Sequence, residues 1–229
     1  MSAADTARAA YQGQAGHEYH DGKRGLPPGS LPWVARARAE VHQPFVKEAD
    51  AVIELGCGAG WNLAALRCRR RVGFDVATQL RTEIEAQGIE FVNSTGALPA
   101  GGFQTVLCHH ALEHVPDPLA MLAEARRLLD PAGLLLLAVP YEHEARYRRY
   151  DPAEPNHHLF SWNPQTLGNL VNVAGFRIEH LALRTYGYDR RAAQMAARFG
   201  LGEGGFGFLR RAMQAVRPLK EIALRARPS

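Results

Sequence analysis

Three glycines at alternate positions, Gly56, Gly58 and Gly60, directly follow the apolar run Ala51–Leu55. Glycine permits a sharp turn and a close approach of backbone to a ligand, so a strand ending in this run makes a candidate cradle. Glu54 stands two residues before the first glycine, and Asp75 stands 19 residues after it, at the end of the next apolar segment. An acid there can accept hydrogen bonds from both hydroxyls of an adenosine ribose. The third glycine comes one residue early for G-x-G-x-x-G, the pattern that seats a pyrophosphate on a helix N-terminus, which argues against a dinucleotide. A second group is rich in histidine: His109 and His110, Glu113 and His114, His157 and His158. Imidazole titrates near neutral pH and suits proton removal from a hydroxyl. His110 and His158 are candidates for such a base. His114 and Glu113 are candidates too, although helix capping and packing account for them better. These residues lack metal-ligand spacing, so the sequence predicts no metal.

The elements that must position these groups alternate. Leu31–Lys47 reads as a helix, Ala51–Leu55 as a buried strand, and Trp61–Arg67 as a helix opening after the glycines. Strands are expected at Arg71–Phe74, Ile89–Val92, Gln104–Cys108, 133–140 and Phe176–Thr185. Helices are expected at Thr78–Gln87, Pro118–Leu129 and Pro164–Ala174. Alternating strands and helices indicate a parallel sheet covered on both faces, and a continuous apolar strand such as LLLLAV fits it. The pattern then breaks. Two short helices, 190–199 and 206–217, precede a last strand, Leu219–Arg225, with the glycine-rich 200–205 as a hinge between them. Phe206, Leu209, Met213 and Val216 give the second helix one apolar stripe, expected to pack on the domain or on a second subunit at the mouth of the site.

E-x-G-x-G-x-G over 54–60, with Asp75 beyond it, resembles the cofactor motif of class I S-adenosylmethionine-dependent methyltransferases. Ala97-Leu98-Pro99, Phe103, L-E-H-V-P-D-P (112–118), RRLLDPAGLLLLAVP (126–140), H-L-F-S-W (158–162) and A-G-F (174–176) are similar to the small-molecule branch of that family. The resemblance implies an α/β fold, Rossmann-like and doubly wound, whose mostly parallel seven-stranded sheet carries an antiparallel last strand. It implies S-adenosylmethionine as cofactor and S-adenosylhomocysteine as product. It carries cofactor contact onto Glu54, Gly56, Cys57, Gly58, Gly60, Asp75 and Val76, with Ser94 and Thr95 beside the adenine and His109 along the methionine moiety. Tyr19 and Arg24 belong to an N-terminal arm that folds over the cofactor in related enzymes. His158 matches a family histidine that faces substrate. Ser94 and Gln104 stand where the family usually has Asp, and Ser94 is the weaker acceptor.

The 229 residues divide into an arm and helix covering the site (1–47) and a core (48–229) with a helical insert (187–218). Three cysteines, an odd count without metal spacing, fit a reducing cytoplasm. No apolar run approaches the ~20 residues of a membrane span, and the N-terminus lacks an apolar leader core. Net charge is +4 overall and +6 from Asp189 onward. That basic end could meet an anionic substrate, a membrane surface or nucleic acid, or simply be solvated. The expected activity is methyl transfer to O or N of a small molecule or sugar, in natural-product or cell-surface glycan synthesis. A nucleic-acid methyltransferase and a non-catalytic cofactor-binding partner are the alternatives. CHHAL stands where amino-methylating nucleic-acid enzymes carry an Asp/Asn-Pro-Pro-aromatic tetrapeptide, which disfavours the first; the intact glycine loop disfavours the second. Both a homodimer and a peripheral membrane contact remain open.

Overall fold

The structure, a computed structural model, describes residues 11, 16, 25–143, 149–151, 154 and 156–229. Among them, seven strands form one sheet: β1 (Ala51–Leu55), β2 (Arg70–Phe74), β3 (Glu90–Val92), β4 (Phe103–His109), β5 (Leu129–Pro140), β6 (Phe176–Tyr186) and β7 (Leu219–Pro228). Their order is β3-β2-β1-β4-β5-β7-β6. The pairs β1·β2, β1·β4, β2·β3 and β4·β5 are parallel, whereas β7 runs antiparallel to both β5 and β6. This is the Rossmann-like seven-stranded sheet that the resemblance implied. Strand order reverses between β1 and β4, so a crevice opens at their C-terminal ends.

The central strands are apolar on both faces because both are covered. Ile53 and Leu55 of β1 join Leu135, Leu137 and Val139 of β5 in one core. That core is closed by α3 (Pro118–Leu128) and α4 (Pro164–Val173). Val52, Leu134 and Leu136 face the other way, against α1 (Leu31–His42) and α2 (Arg81–Glu85). The last two helices, α5 (Asp189–Arg198) and α6 (Gly202–Val216), fill the stretch between β6 and β7. Phe206 is buried against Val34 of α1 and Ala192, Ala193 and Ala196 of α5, with Leu209 and Met213 beside it. Val216, the last residue of the expected stripe, is exposed.

Several boundaries differ from expectation. No helix forms over 61–67, where the chain makes turns. Arg71 Nη1 donates to the carbonyl of Ala64 at 2.6 Å, and Gln43 takes both the N–H and the carbonyl of Arg67, occupying groups a helix would need. The helix from Leu31 ends at His42 and tightens into a 3₁₀ turn, Gln43–Phe45, containing Pro44. The hinge before α6 is confined to Gly200 and Leu201, because Gly202–Gly205 already belong to that helix. No helix among the described residues is long and apolar enough to cross a membrane.

Candidate active site

Gly56, Gly58 and Gly60 have φ of 76°, 52° and 74°, the left-handed region that favours glycine. A Cβ on Gly56 would collide with the Ala111 Cβ, so packing also excludes a side chain there. The amides of Gly56 and Cys57 donate to the Phe74 carbonyl at 2.9 and 3.0 Å, tying the loop to the end of β2. Asp75 completes the tie: its Oδ2 accepts from Gly58 N at 2.7 Å and its Oδ1 from Ala77 N at 2.9 Å. A carboxylate offers about four lone-pair sites, so two remain for a ligand. Beneath the loop, Asn62 Nδ2 donates to Glu54 Oε1 at 2.5 Å, whereas the buried Oε2 has no partner among the described residues. Burial pushes the Glu54 carboxyl up to about 8.

The opposite wall rises from β4, β6 and β7. Glu221 is fully enclosed and receives His110 Nε2 at 2.9 Å and His109 Nε2 at 3.2 Å on one oxygen. Its other oxygen receives Arg184 Nε at 2.6 Å from the facing position of β6. Burial opposes ionisation of Glu221, yet the contacts with His109 and His110 outweigh it and hold the carboxyl below the usual range. Burial lowers His109 to about 4 and His42, packed edge-on against it, to about 3, so both are neutral at neutral pH. His110 adopts φ 52°, an uncommon conformation for a residue with a Cβ, and its ring meets Tyr186 edge-on at 4.7 Å.

These walls enclose a cavity of about 930 Å³. Of the residues singled out in the sequence, Glu54, Gly56, Cys57, Gly58, Asp75, Val76, Thr95, His109, His110 and His114 line it. Gly60 shapes the turn behind them. Ser94 is exposed outside the cavity, with its Oγ 3.4 Å from Gly96 N. Glu113 and His158 lie behind His114, not on the wall. Tyr19 and Arg24 fall outside the described residues. Sequence reasoning missed Glu221, Arg184, Asn62 and Arg38. No signal marked Glu221, which shares the face of β7 opposite Ile222, Leu224 and Ala226, where an acid ordinarily meets solvent.

Residues 32–181 match the profile of a family described as a methyltransferase domain. A ubiquinone biosynthesis O-methyltransferase of Xanthomonas oryzae pv. oryzae is 26% identical over 170 residues, which cover 64% of this chain and 71% of that protein. Among solved structures, an S-adenosylmethionine-dependent methyltransferase from Methanosarcina mazei is 17% identical, with a TM-score of 0.57 over 82% of this chain and 96% of that one. One from Mesorhizobium loti is 20% identical, with a TM-score of 0.52 over 86% and 99% of the two chains. At such identities the structural likeness concerns the fold alone.

Proposed function

Since this chain belongs to the methyltransferase-domain family of S-adenosylmethionine-dependent enzymes, we propose that it transfers a methyl group to a hydroxyl of a small molecule, with His110 as the base. The cavity residues fit the cofactor. The partnerless buried oxygen of Glu54 suits an ammonium, and Asp75 retains acceptor sites for ribose hydroxyls. When bound, S-adenosylmethionine supplies a methyl group on a positive sulfur, already activated for displacement. The protein has to hold the acceptor in line and remove its proton.

The observation that carries the reading is the His110–Glu221 contact of 2.9 Å on the cavity wall, anchored from behind by Arg184. An ionised Glu221 fixes the proton of His110 on Nε2 and leaves Nδ1 as the basic nitrogen. His158, by contrast, has Nδ1 on Glu142 and stands off the wall. An oxygen acceptor is supported by such a base, which an amine does not need, and by the O-methyltransferase relatives. The covering role read for 1–47 and for the 187–218 insert is supported by Arg38, His42, Asp189, Arg190 and Arg210, all of which line the cavity.

The test is S-adenosylhomocysteine formation over a panel of phenolic and sugar hydroxyl acceptors. His110→Ala should lower turnover about 10²-fold or more and leave cofactor affinity nearly intact. Glu221→Gln should lower turnover in the same way. Wild-type turnover in His110→Ala would overturn the assignment.

A further inference from the structure

A second group of titratable side chains lies behind the wall, centred on the 3₁₀ turn Leu112–His114. His114 Nε2 stands 3.8 Å from Glu113 Oε1, and His158 Nε2 stands 4.0 Å from that same oxygen. The two rings are 4.7 Å apart and nearly perpendicular. Each histidine is oriented through its other nitrogen: His158 Nδ1 lies 2.6 Å from Glu142 Oε1, and His114 Nδ1 lies 2.8 Å from the Tyr11 hydroxyl. Backbone holds the loop in place, since the amides of Leu159 and Phe160 both donate to the Glu113 carbonyl, at 2.8 and 3.2 Å.

Separations of 3.8 and 4.0 Å are too long for hydrogen bonds. They stand about half an ångström beyond the ~3.4 Å between donors of a tetrahedral ion with bonds of about 2.0–2.2 Å, a difference that small side-chain rotations close. The outer partners match as well: a histidine that ligates a metal commonly gives its second N–H to a carboxylate or another acceptor, which fixes the tautomer. Two imidazoles and one carboxylate favour a borderline transition metal over magnesium or calcium, which prefer all-oxygen shells. We infer that Glu113, His114 and His158 form a binding site for a divalent transition ion of the zinc type, with Glu142 and Tyr11 orienting the histidines. Three protein ligands leave a coordination position open, and His114 brings the site to the edge of the cavity. The neighbouring triad His109, His110 and Glu221 is also compact, but Arg184 already occupies its carboxylate. Sequence spacing could not reveal the chosen triad, because its third member arrives 44 residues after the second.

The test uses the full chain, stripped with a chelator and titrated with Co2+ by visible absorption and with Zn2+ by calorimetry. One equivalent should bind, Zn2+ should raise Tm, and Mg2+ should do neither. Circular dichroism confirms that each metal-free variant is folded. His158→Ala should weaken Zn2+ binding at least 10²-fold, and Glu142→Gln about 10–100-fold. His110→Ala should leave it unchanged. Should His158→Ala be folded and bind zinc with wild-type stoichiometry and affinity, the site is refuted. Loss of binding in His110→Ala with retention in His158→Ala would refute it too, by placing the ion on the other triad.

Discussion

Glu54 answers two opposing demands with one carboxyl. Its burial favours the protonated form, pushing it up to about 8, while a cationic ligand would require the ionised form. The folded chain therefore holds this proton where the unfolded chain has released it, and the stability it contributes is present below the ordinary carboxyl range and lost as pH rises to about 8. Glu54→Gln should raise Tm over the cofactor-free wild type, by a margin that widens between pH 5 and 9, and should weaken S-adenosylmethionine binding. Equal margins at both ends of that range would disprove the burial argument. His42 and His109 act on the acid side. Held neutral at about 3 and 4, they destabilise the fold as pH drops below the ordinary histidine value and the unfolded state takes up protons. Asp75 does two jobs, since both oxygens already hold loop amides. Asp75→Ala should therefore weaken cofactor binding by one or two charge-assisted bonds of about 1.5–3 kcal/mol each, and lower Tm as well. Calorimetric titration beside a melting curve separates the two effects; unchanged affinity in a folded variant would dismiss the ribose role.

At the scale of elements, short devices aim these side chains. Asp117 caps α3, accepting from Ala120 N at 2.9 Å, and Pro118 opens the helix with its φ already set. Asp117→Ala should cost about 1 kcal/mol and lower Tm by about 2–4 °C, as thermal unfolding would show. From the last turn of α3, Arg127 reaches the carbonyls of Thr95 and Leu98 at 3.0 Å each, steadying the loop that brings Thr95 to the cavity. Arg71 works the same way after the glycines, where it replaces helix hydrogen bonds with its own. The helix starts at Pro118 and Pro164 were legible because proline sets its own φ. The reach of Arg127 and Arg71 across the fold was not.

For the molecule as a whole, α1 and the α5–α6 hairpin form a cover with its own small core. Asp189 joins them, bound by Arg38 at 3.0 Å and Arg210 at 2.6 Å, and Phe206 fills the space between. Phe206→Ala should cost about 3–5 kcal/mol. Hydrogen exchange should then show α1, α5 and α6 losing protection while β1, β4 and β5 keep theirs, because the sheet has separate cores. Uniform loss across the chain would mean that cover and sheet unfold together.

Sequence alone determined what is local or periodic: the glycine turn, the acid at the end of the second strand, the continuous apolar strands, and the interruption between the last two. Each follows from the conformational freedom of a residue type or from a face that must be buried. Tertiary structure alone decided which titratable groups meet. Glu221 reaches His110 because β7 is inserted between β5 and β6, and His158 reaches Glu113 because two loop amides dock on one carbonyl. Strand order and loop docking arise from packing among distant segments, and no spacing along the chain encodes them.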